Sequence, residues 1–198
     1  DGSTCSLLIT DDFTRVTWGV DLQRVSQAIV KLQEWYTCNL PKLKRVTGNE
    51  ALRIKCFQFD SDPVFKSAAC KRMCSEFVSD RQFSVPDRHG QHGVVERNVG
   101  TVKGMTYSML VGGGKGHAFR HRAFHMALYV KNRVTTTSCG QKFVPFTKLT
   151  GRIPDLSNLR VPFCPVVTTK PKALQTKLEV KGRRGTFVGY DTETTGGD

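Results

Sequence analysis

Two acidic residues, Asp60 and Glu96, have the types and setting for metal chemistry in this 198-residue sequence. Asp60 ends an apolar, alternating run at residues 52–59 that predicts a buried strand. Glu96 lies near the start of a segment with helical spacing, so both carboxylates could converge on one pocket. Neighbouring carboxylates repel each other unless a divalent cation lies between them, and such a cation activates oxygen nucleophiles for phosphoryl transfer. The pair therefore predicts a metal site for phosphoryl chemistry.

The residues around this pair make the prediction more specific, because the spacing of two acids alone is weak evidence. Residues 59–65 and 85–98 resemble the second and third acidic blocks of the DDE integrase core, most of all in Copia-type retrotransposon integrases. Further blocks that fit this family in the same order lie at residues 9–18, 105–110, 127–133, 149–161 and 184–190. The resemblance therefore spans nearly the whole chain.

The resemblance implies an α/β fold: a ribonuclease H-like mixed sheet flanked by helices over residues 1–148, lacking its first strand. A small β-rich, SH3-like segment is expected over residues 149–198. The resemblance also implies that Asp60 and Glu96 hold Mg²⁺, or Mn²⁺, for DNA 3′-end processing and strand transfer to target DNA. The expected partners are DNA and either further copies of the chain or a larger protein assembly.

Two basic residues on the Glu96 helix are candidate phosphate contacts. Glu96, Gly100 and Lys103 follow i, i+4, i+7 spacing and share one helix face, so Lys103 could reach a phosphate held at the metal. In the resembling family this helix face contacts the DNA end. The alternatives are a solvated Lys103 and an Arg97 that braces the helix through an ion pair.

The sequence departs from the family pattern in two places. After Asp60 the family usually has Asn-Gly-Gly-Glu-Phe, whereas residues 61–65 read Ser-Asp-Pro-Val-Phe, and Pro63 stiffens this turn. The family's first catalytic Asp and central strand lie upstream of the first hairpin, and the sequence begins after them. Two-metal transfer is then expected to fail in this chain. The two strands that flank the missing one would lose their partner, unless upstream residues or another chain supplied it or the fragment packed differently.

These departures leave two functions open. The chain is either an integrase-derived DNA-binding domain, inactive in this truncated form, or a non-catalytic integrase-derived fragment that serves as a subunit of a larger assembly. Thirty Lys and Arg against 17 Asp and Glu give a net charge of +13, which favours a polyanionic partner, although a generally basic protein has the same balance. Seven cysteines without the spacing of a disulfide framework favour a reducing, intracellular compartment, which for an integrase would be the nucleus. No apolar run is long enough for a membrane span.

The remaining pattern predicts the elements that position these residues. A hairpin joins residues 5–10 to residues 16–20, with Asp11 and Asp12 as turn residues rather than catalytic ones. The other predicted elements are helices at 22–38, 67–78, 94–110 and 117–134, a strand at 82–85, a connector at 39–49, a mobile loop at 86–93, a loop from 135 to Gly151 and a β tail at 160–190.

Three smaller predictions concern side chains on these helices. Val95, Val99, Val102 and Met109 form the expected core stripe of the Glu96 helix. His117, His121 and His125 recur on one helix and could share zinc, but no Cys or carboxylate nearby in sequence completes such a site. Cys70 and Cys74 are expected to be core thiols.

Overall fold

The structure of the chain, a computed structural model, describes residues 5–83, 89–138, 140–169, 171 and 182–190, and for residues 89–92 the backbone alone. The strands are β1 Cys5–Thr10, β2 Thr17–Leu22, β3 Cys56–Phe59, β4 Asp80–Phe83, β5 Thr136–Ser138, β6 Gln141–Phe143, β7 Pro165–Thr169 and β8 Gly182–Thr186. The α-helices are α1 Ala28–Thr47, α2 Pro63–Lys66, α3 Ala68–Glu76, α4 His89–Gly112, α5 Arg120–Arg133 and α6 Pro145–Thr150.

The first hairpin forms as predicted, with β1 antiparallel to β2 and Leu7 opposite Val20. Asp11 closes its turn, because its Oδ2 accepts hydrogen bonds from Thr14 N at 2.7 Å and Thr14 Oγ1 at 2.6 Å. Asp12 forms an ion pair with Arg15 in the same turn. Both aspartates are therefore turn residues, as the sequence predicts.

The first long helix, α1, differs from the prediction at both ends. It begins six residues late, because Leu22 still belongs to β2 and a short 3₁₀ turn at Val25–Gln27 precedes the helix. The connector predicted at 39–49 is wrong through Thr47, since α1 continues past Pro41. Gly48 ends the helix in the left-handed conformation at φ 66°, where glycine carries no Cβ penalty.

The largest core lies between α1, the first hairpin and the β3–β4 pair. Phe57 and Phe59 point into it from β3, whose alternate residues are exposed. The strand is shorter than predicted, four residues rather than eight. Cys70 and Cys74 of α3 are buried in this core as predicted. Burial raises the pKa of Cys74 to about 11, so Cys74 remains a thiol.

A second core joins α4 and α5 to the hairpin. Val102 is 1% exposed and packs with Phe124 and Leu128, but Val95 is 49% exposed, so the predicted stripe is wrong at that residue. The helix begins at His89, which means that the predicted mobile loop is wrong for residues 89–93, while residues 86–88 lie outside the described part.

The chain after α5 contains more structure than the sequence predicts. The β5–β6 hairpin and α6 occupy the predicted loop, with Gly151 ending α6 at φ 72°. The predicted β tail contains the β7–β8 hairpin. Tyr190 stacks on Tyr129 of α5 at 3.8 Å between ring centroids, which attaches the tail to the helices. The predicted boundary after residue 148 falls within α6, and the division into two units stays a prediction.

The described strands pair two by two, as β1–β2, β3–β4, β5–β6 and β7–β8, and β3–β4 is the parallel pair. Leu7 and Ile9 of β1 nevertheless pack on the same core as Phe57 and Phe59 of β3. β1 pairs with β2 along one edge, and β3 pairs with β4 along one edge. Within the described ranges, the opposite edge of each strand, its second edge, pairs with no strand. These are the two strands for which the sequence predicts a lost partner.

Two glycines of α4 should limit its stability. A Cβ added at Gly100 or Gly104 would meet no atom within 4 Å. We expect Gly100→Ala and Gly104→Ala each to raise the free energy of unfolding by about 1 kcal/mol, because alanine loses less backbone entropy in a helix. Urea unfolding followed by circular dichroism measures this change.

The matched control is Gly19→Ala in β2. Its Cβ would lie 2.4 Å from side-chain carbons of Leu128 and Phe124, so this variant should lose about 1–3 kcal/mol of stability. If the two α4 variants were less stable instead, the added Cβ atoms would have to clash with neighbouring atoms.

Candidate functional site

Asp60 lies directly after β3 and is exposed. Its Oδ1 accepts a hydrogen bond from Asp62 N at 3.2 Å, and Asp62 Oδ1 in turn caps α2 by accepting from Val64 N at 2.9 Å. Pro63 occupies the first turn of α2, where its missing N–H costs nothing. Residues 61–63 thus form a capped turn that fixes the backbone around Asp60.

Glu96 lies two turns into α4, and the predicted face formed by Glu96, Gly100 and Lys103 is exposed along its length. Arg97 Nε donates a hydrogen bond to Gly93 O at 2.6 Å, so its guanidinium lies along its own helix. Among the ion pairs of the described residues, none includes Glu96, Arg97 or Lys103. The bracing ion pair considered for Arg97 is therefore not formed there.

The two carboxylates suit a hard divalent cation. Mg²⁺ prefers oxygen ligands, keeps several waters and is often bound by only one or two carboxylates. Asp60 and Glu96 supply two exposed carboxylates of this kind, although no described contact joins them. A group of three or more metal-ligating His, Cys, Asp or Glu side chains does not occur in the described part of the chain. That Asp60 and Glu96 share an ion therefore stays a prediction.

A buried polar network positions α4 against the first hairpin. Asn98, two residues beyond Glu96, donates from Nδ2 to Thr10 Oγ1 at 2.6 Å and to Thr17 Oγ1 at 3.0 Å. Lys131 Nζ of α5 donates to the same Thr17 oxygen at 3.0 Å, and burial, with nearby Arg15, lowers the pKa of Lys131 to about 8. The network fixes the helix segment that carries Glu96.

Asn132 completes this network at the backbone of Thr17. Its Oδ1 accepts from Thr17 N at 2.9 Å, and its Nδ2 donates to Thr17 O at 2.8 Å. Thr17 is 1% exposed, so water does not replace these bonds. Sequence reasoning missed the network because its members come from four separate elements and form no local motif.

The helix predicted at 117–134 begins only at Arg120, so His121 and His125 lie on α5 whereas His117 lies in the preceding 3₁₀ turn at His117–Phe119. These three histidines form no zinc site within the described residues. His125 instead lies with Nε2 at 2.7 Å from Asp21 Oδ2 of β2. Burial tends to raise the pKa of Asp21, but the hydrogen bond and charge of His125 lower it overall. Asp21, which is remote in sequence, thus pairs with His125 and attaches α5 to the hairpin.

One charge pattern also escaped the sequence reasoning. No Asp or Glu occurs between Glu96 and Asp155, although Lys and Arg recur throughout that segment. The segment includes most of α4, all of α5, the β5–β6 hairpin and α6. The basic excess of the chain is therefore concentrated in one continuous part, which favours a polyanion as its partner.

The chain is similar in sequence to a transposon protein, although no protein-family model matches it. It is 25% identical over 195 residues to the retrovirus-related Pol polyprotein from transposon TNT 1-94 of Nicotiana tabacum. This match covers 98% of the chain but 14% of the polyprotein. The chain thus corresponds to a small part of that relative.

The fold is similar to that of solved retroviral proteins. A chain of the simian T-cell lymphotropic virus intasome, in complex with PP2A regulatory subunit B56 gamma, matches with a TM-score of 0.56 and 17% identity, over 91% of this chain and 60% of that one. The BIV integrase catalytic core domain follows with a TM-score of 0.49 and 16% identity, over 71% and 82% of the two chains.

The likeness to the intasome chain is a likeness of fold and agrees with the predicted mixed α/β class. Together with the transposon match, it confirms the predicted resemblance to a retrotransposon integrase core. None of the described helices is both long and apolar enough to cross a membrane.

Proposed function

We propose that this chain is an integrase-derived DNA-binding domain of the Copia type, in which Asp60 and Glu96 bind Mg²⁺ or Mn²⁺. The observation that carries the proposal is the similarity to a transposon Pol polyprotein over 98% of the chain. The exposed carboxylates at the end of β3 and in α4 support it. In the complete protein, the activity would be DNA 3′-end processing and strand transfer in the nucleus.

Each site residue has a defined part in this proposal. When bound, the metal ion would polarise phosphoryl oxygens and activate an oxygen nucleophile. Asp60 and Glu96 would hold it, the first in its capped turn and the second on the helix anchored through Asn98. Lys103 would contact a DNA phosphate from the same helix face. Arg97 could also contact a phosphate through its terminal N–H groups, because only its Nε is bonded to Gly93 O. The activity proposed for this chain is metal and DNA binding, and the joining of DNA is assigned to the complete protein.

Lys103→Ala should weaken binding to duplex DNA of any sequence, because a phosphate contact carries no sequence information. The slope of log affinity against log salt concentration should fall by about 1, the value for one lost phosphate contact. Fluorescence anisotropy with a labelled duplex over a series of salt concentrations measures this slope.

Lys71→Ala is the matched control, since Lys71 is an exposed lysine on α3, away from the α4 face. Its slope should equal that of the unchanged chain. Equal slopes for Lys71→Ala and Lys103→Ala would remove Lys103 from the DNA interface.

The second candidate is a non-catalytic subunit that acts within a larger assembly. It is favoured by the edges of β1 at residues 6–10 and of β3 at residues 56–58, which pair with no strand in the described part and could accept a strand from a partner. Hydrogen exchange of the β1 and β3 amides, with and without associated proteins, tests this candidate. Protection that appears only with a protein partner would support the subunit function over the DNA-binding one.

A further inference from the structure

A second surface with binding chemistry lies at the tip of the first hairpin, next to β6 and α6. Lys148 Nζ of α6 lies 4.1 Å from the ring centroid of Phe13 and 4.2 Å from that of Phe143. Beside it is an open depression of about 400 Å³, whose lining includes Gln141, Phe143, Thr147 and Lys148. We name Phe13 together with these four lining residues the Phe13–Lys148 surface.

The aromatic ring of Phe13 is exposed although it lies in an ordered turn. Phe13 is 72% exposed. Its ring therefore remains accessible although Lys148 Nζ lies 4.1 Å from the ring centroid. The turn is held in place, because Arg15 Nε donates a hydrogen bond to Ser138 Oγ of β5 at 3.2 Å. A fixed, accessible aromatic ring is a platform on which a planar group can stack at little entropic cost.

The charge around this ring favours an anionic ligand. Lys142 is exposed on β6, and Lys148 supplies a second ammonium, whereas no acid occurs in sequence from residue 97 to residue 154. The carboxylate nearest in sequence, Asp12, is paired with Arg15. Planar stacking, ammonium groups and the neutral polar side chains of Gln141 and Thr147 are together the chemistry that recognises a nucleotide.

We propose that the Phe13–Lys148 surface binds unpaired nucleotides of a single-stranded nucleic acid, with a base stacked on Phe13 and a phosphate near Lys148. Bases in a duplex are stacked on one another and cannot reach the ring, so the surface selects single strands. The surface needs no metal and uses neither Asp60 nor Glu96. It therefore stands or falls separately from the function proposed above.

The test is fluorescence anisotropy in EDTA with a labelled oligothymidylate of ~15 nucleotides, an abasic strand of equal phosphate number and a duplex of the same length. Phe13→Ala should weaken binding of the oligothymidylate about tenfold or more, the effect of losing one base–aromatic stack. It should leave binding of the abasic strand and the duplex unchanged. Lys148→Gln should weaken binding of both single strands, and Phe13→Trp should preserve it.

A control variant distinguishes base stacking on Phe13 from nonspecific binding to exposed apolar side chains. Ile153→Ala removes an apolar side chain that is 88% exposed and is not one of the residues of the Phe13–Lys148 surface, so it should leave all affinities unchanged. Four results would overturn the proposal: no loss in Phe13→Ala, an equal loss for the abasic strand, a loss in Phe13→Trp as large as in Phe13→Ala, or a loss in Ile153→Ala equal to that in Phe13→Ala. A further result would be displacement of the labelled oligothymidylate by polyglutamate as effectively as by unlabelled oligothymidylate. That result would identify an acidic protein as the ligand and would also overturn the proposal.

Discussion

Glu96→Gln should abolish metal-dependent DNA joining by a full-length protein that contains this chain. The amide is isosteric with the carboxylate but lacks the charge that holds a divalent cation. Loss of several kcal/mol of transition-state stabilisation by the metal corresponds to a rate lower by on the order of 10³-fold. Strand transfer of a labelled DNA end into a plasmid, in Mg²⁺ and in Mn²⁺, measures the rate.

Two further variants make this result specific. Asp60→Asn should lower the rate as far as Glu96→Gln, because both carboxylates are proposed to hold the same ion. Glu50→Gln changes an exposed glutamate between α1 and β3 and should leave the rate unchanged. Strand transfer retained in Glu96→Gln would remove Glu96 from the metal site.

Asn132→Ala should cause the largest loss of stability among single polar substitutions in the buried network. It leaves the N–H and C=O of Thr17 without their partners, at a residue that is 1% exposed. Each of these two buried unsatisfied groups costs about 1–3 kcal/mol, so we expect a loss of about 2–6 kcal/mol in the free energy of unfolding. Urea unfolding followed by circular dichroism measures it.

The matched control is Asn158→Ala, which removes the same side chain from an exposed position. Its free energy of unfolding should change by less than about 0.5 kcal/mol. If Asn132→Ala were as stable as Asn158→Ala, the bonds from Asn132 to Thr17 would not anchor α5 to the hairpin.

The main elements could be predicted because their signals are local. The alternating run before Asp60, the helical spacing around Glu96 and the aspartates of the hairpin turn each depend on a few neighbouring residues. The helix bounds were less predictable. Helix α1 includes Pro41 within what looked like a polar connector, and packing of its apolar face outweighs the local signal there.

The features that the sequence did not reveal depend on contacts between distant segments. The Asp21–His125 pair joins residues 104 positions apart, and the bonds from Asn132 to Thr17 span 115 positions. The ring of Phe13 meets Lys148 across a similar separation. Spacing rules describe one strand or one helix at a time, so they cannot place such side chains together.

The account depends most on whether Asp60 and Glu96 can hold one cation between them. Crystals of the chain grown with Mn²⁺, measured at a wavelength where manganese scatters anomalously, test this directly. We predict one anomalous peak with a carboxylate oxygen of Asp60 and one of Glu96 each about 2.1 Å away. Carboxylates on opposite sides of the molecule, with no manganese between them, would contradict the proposed metal site.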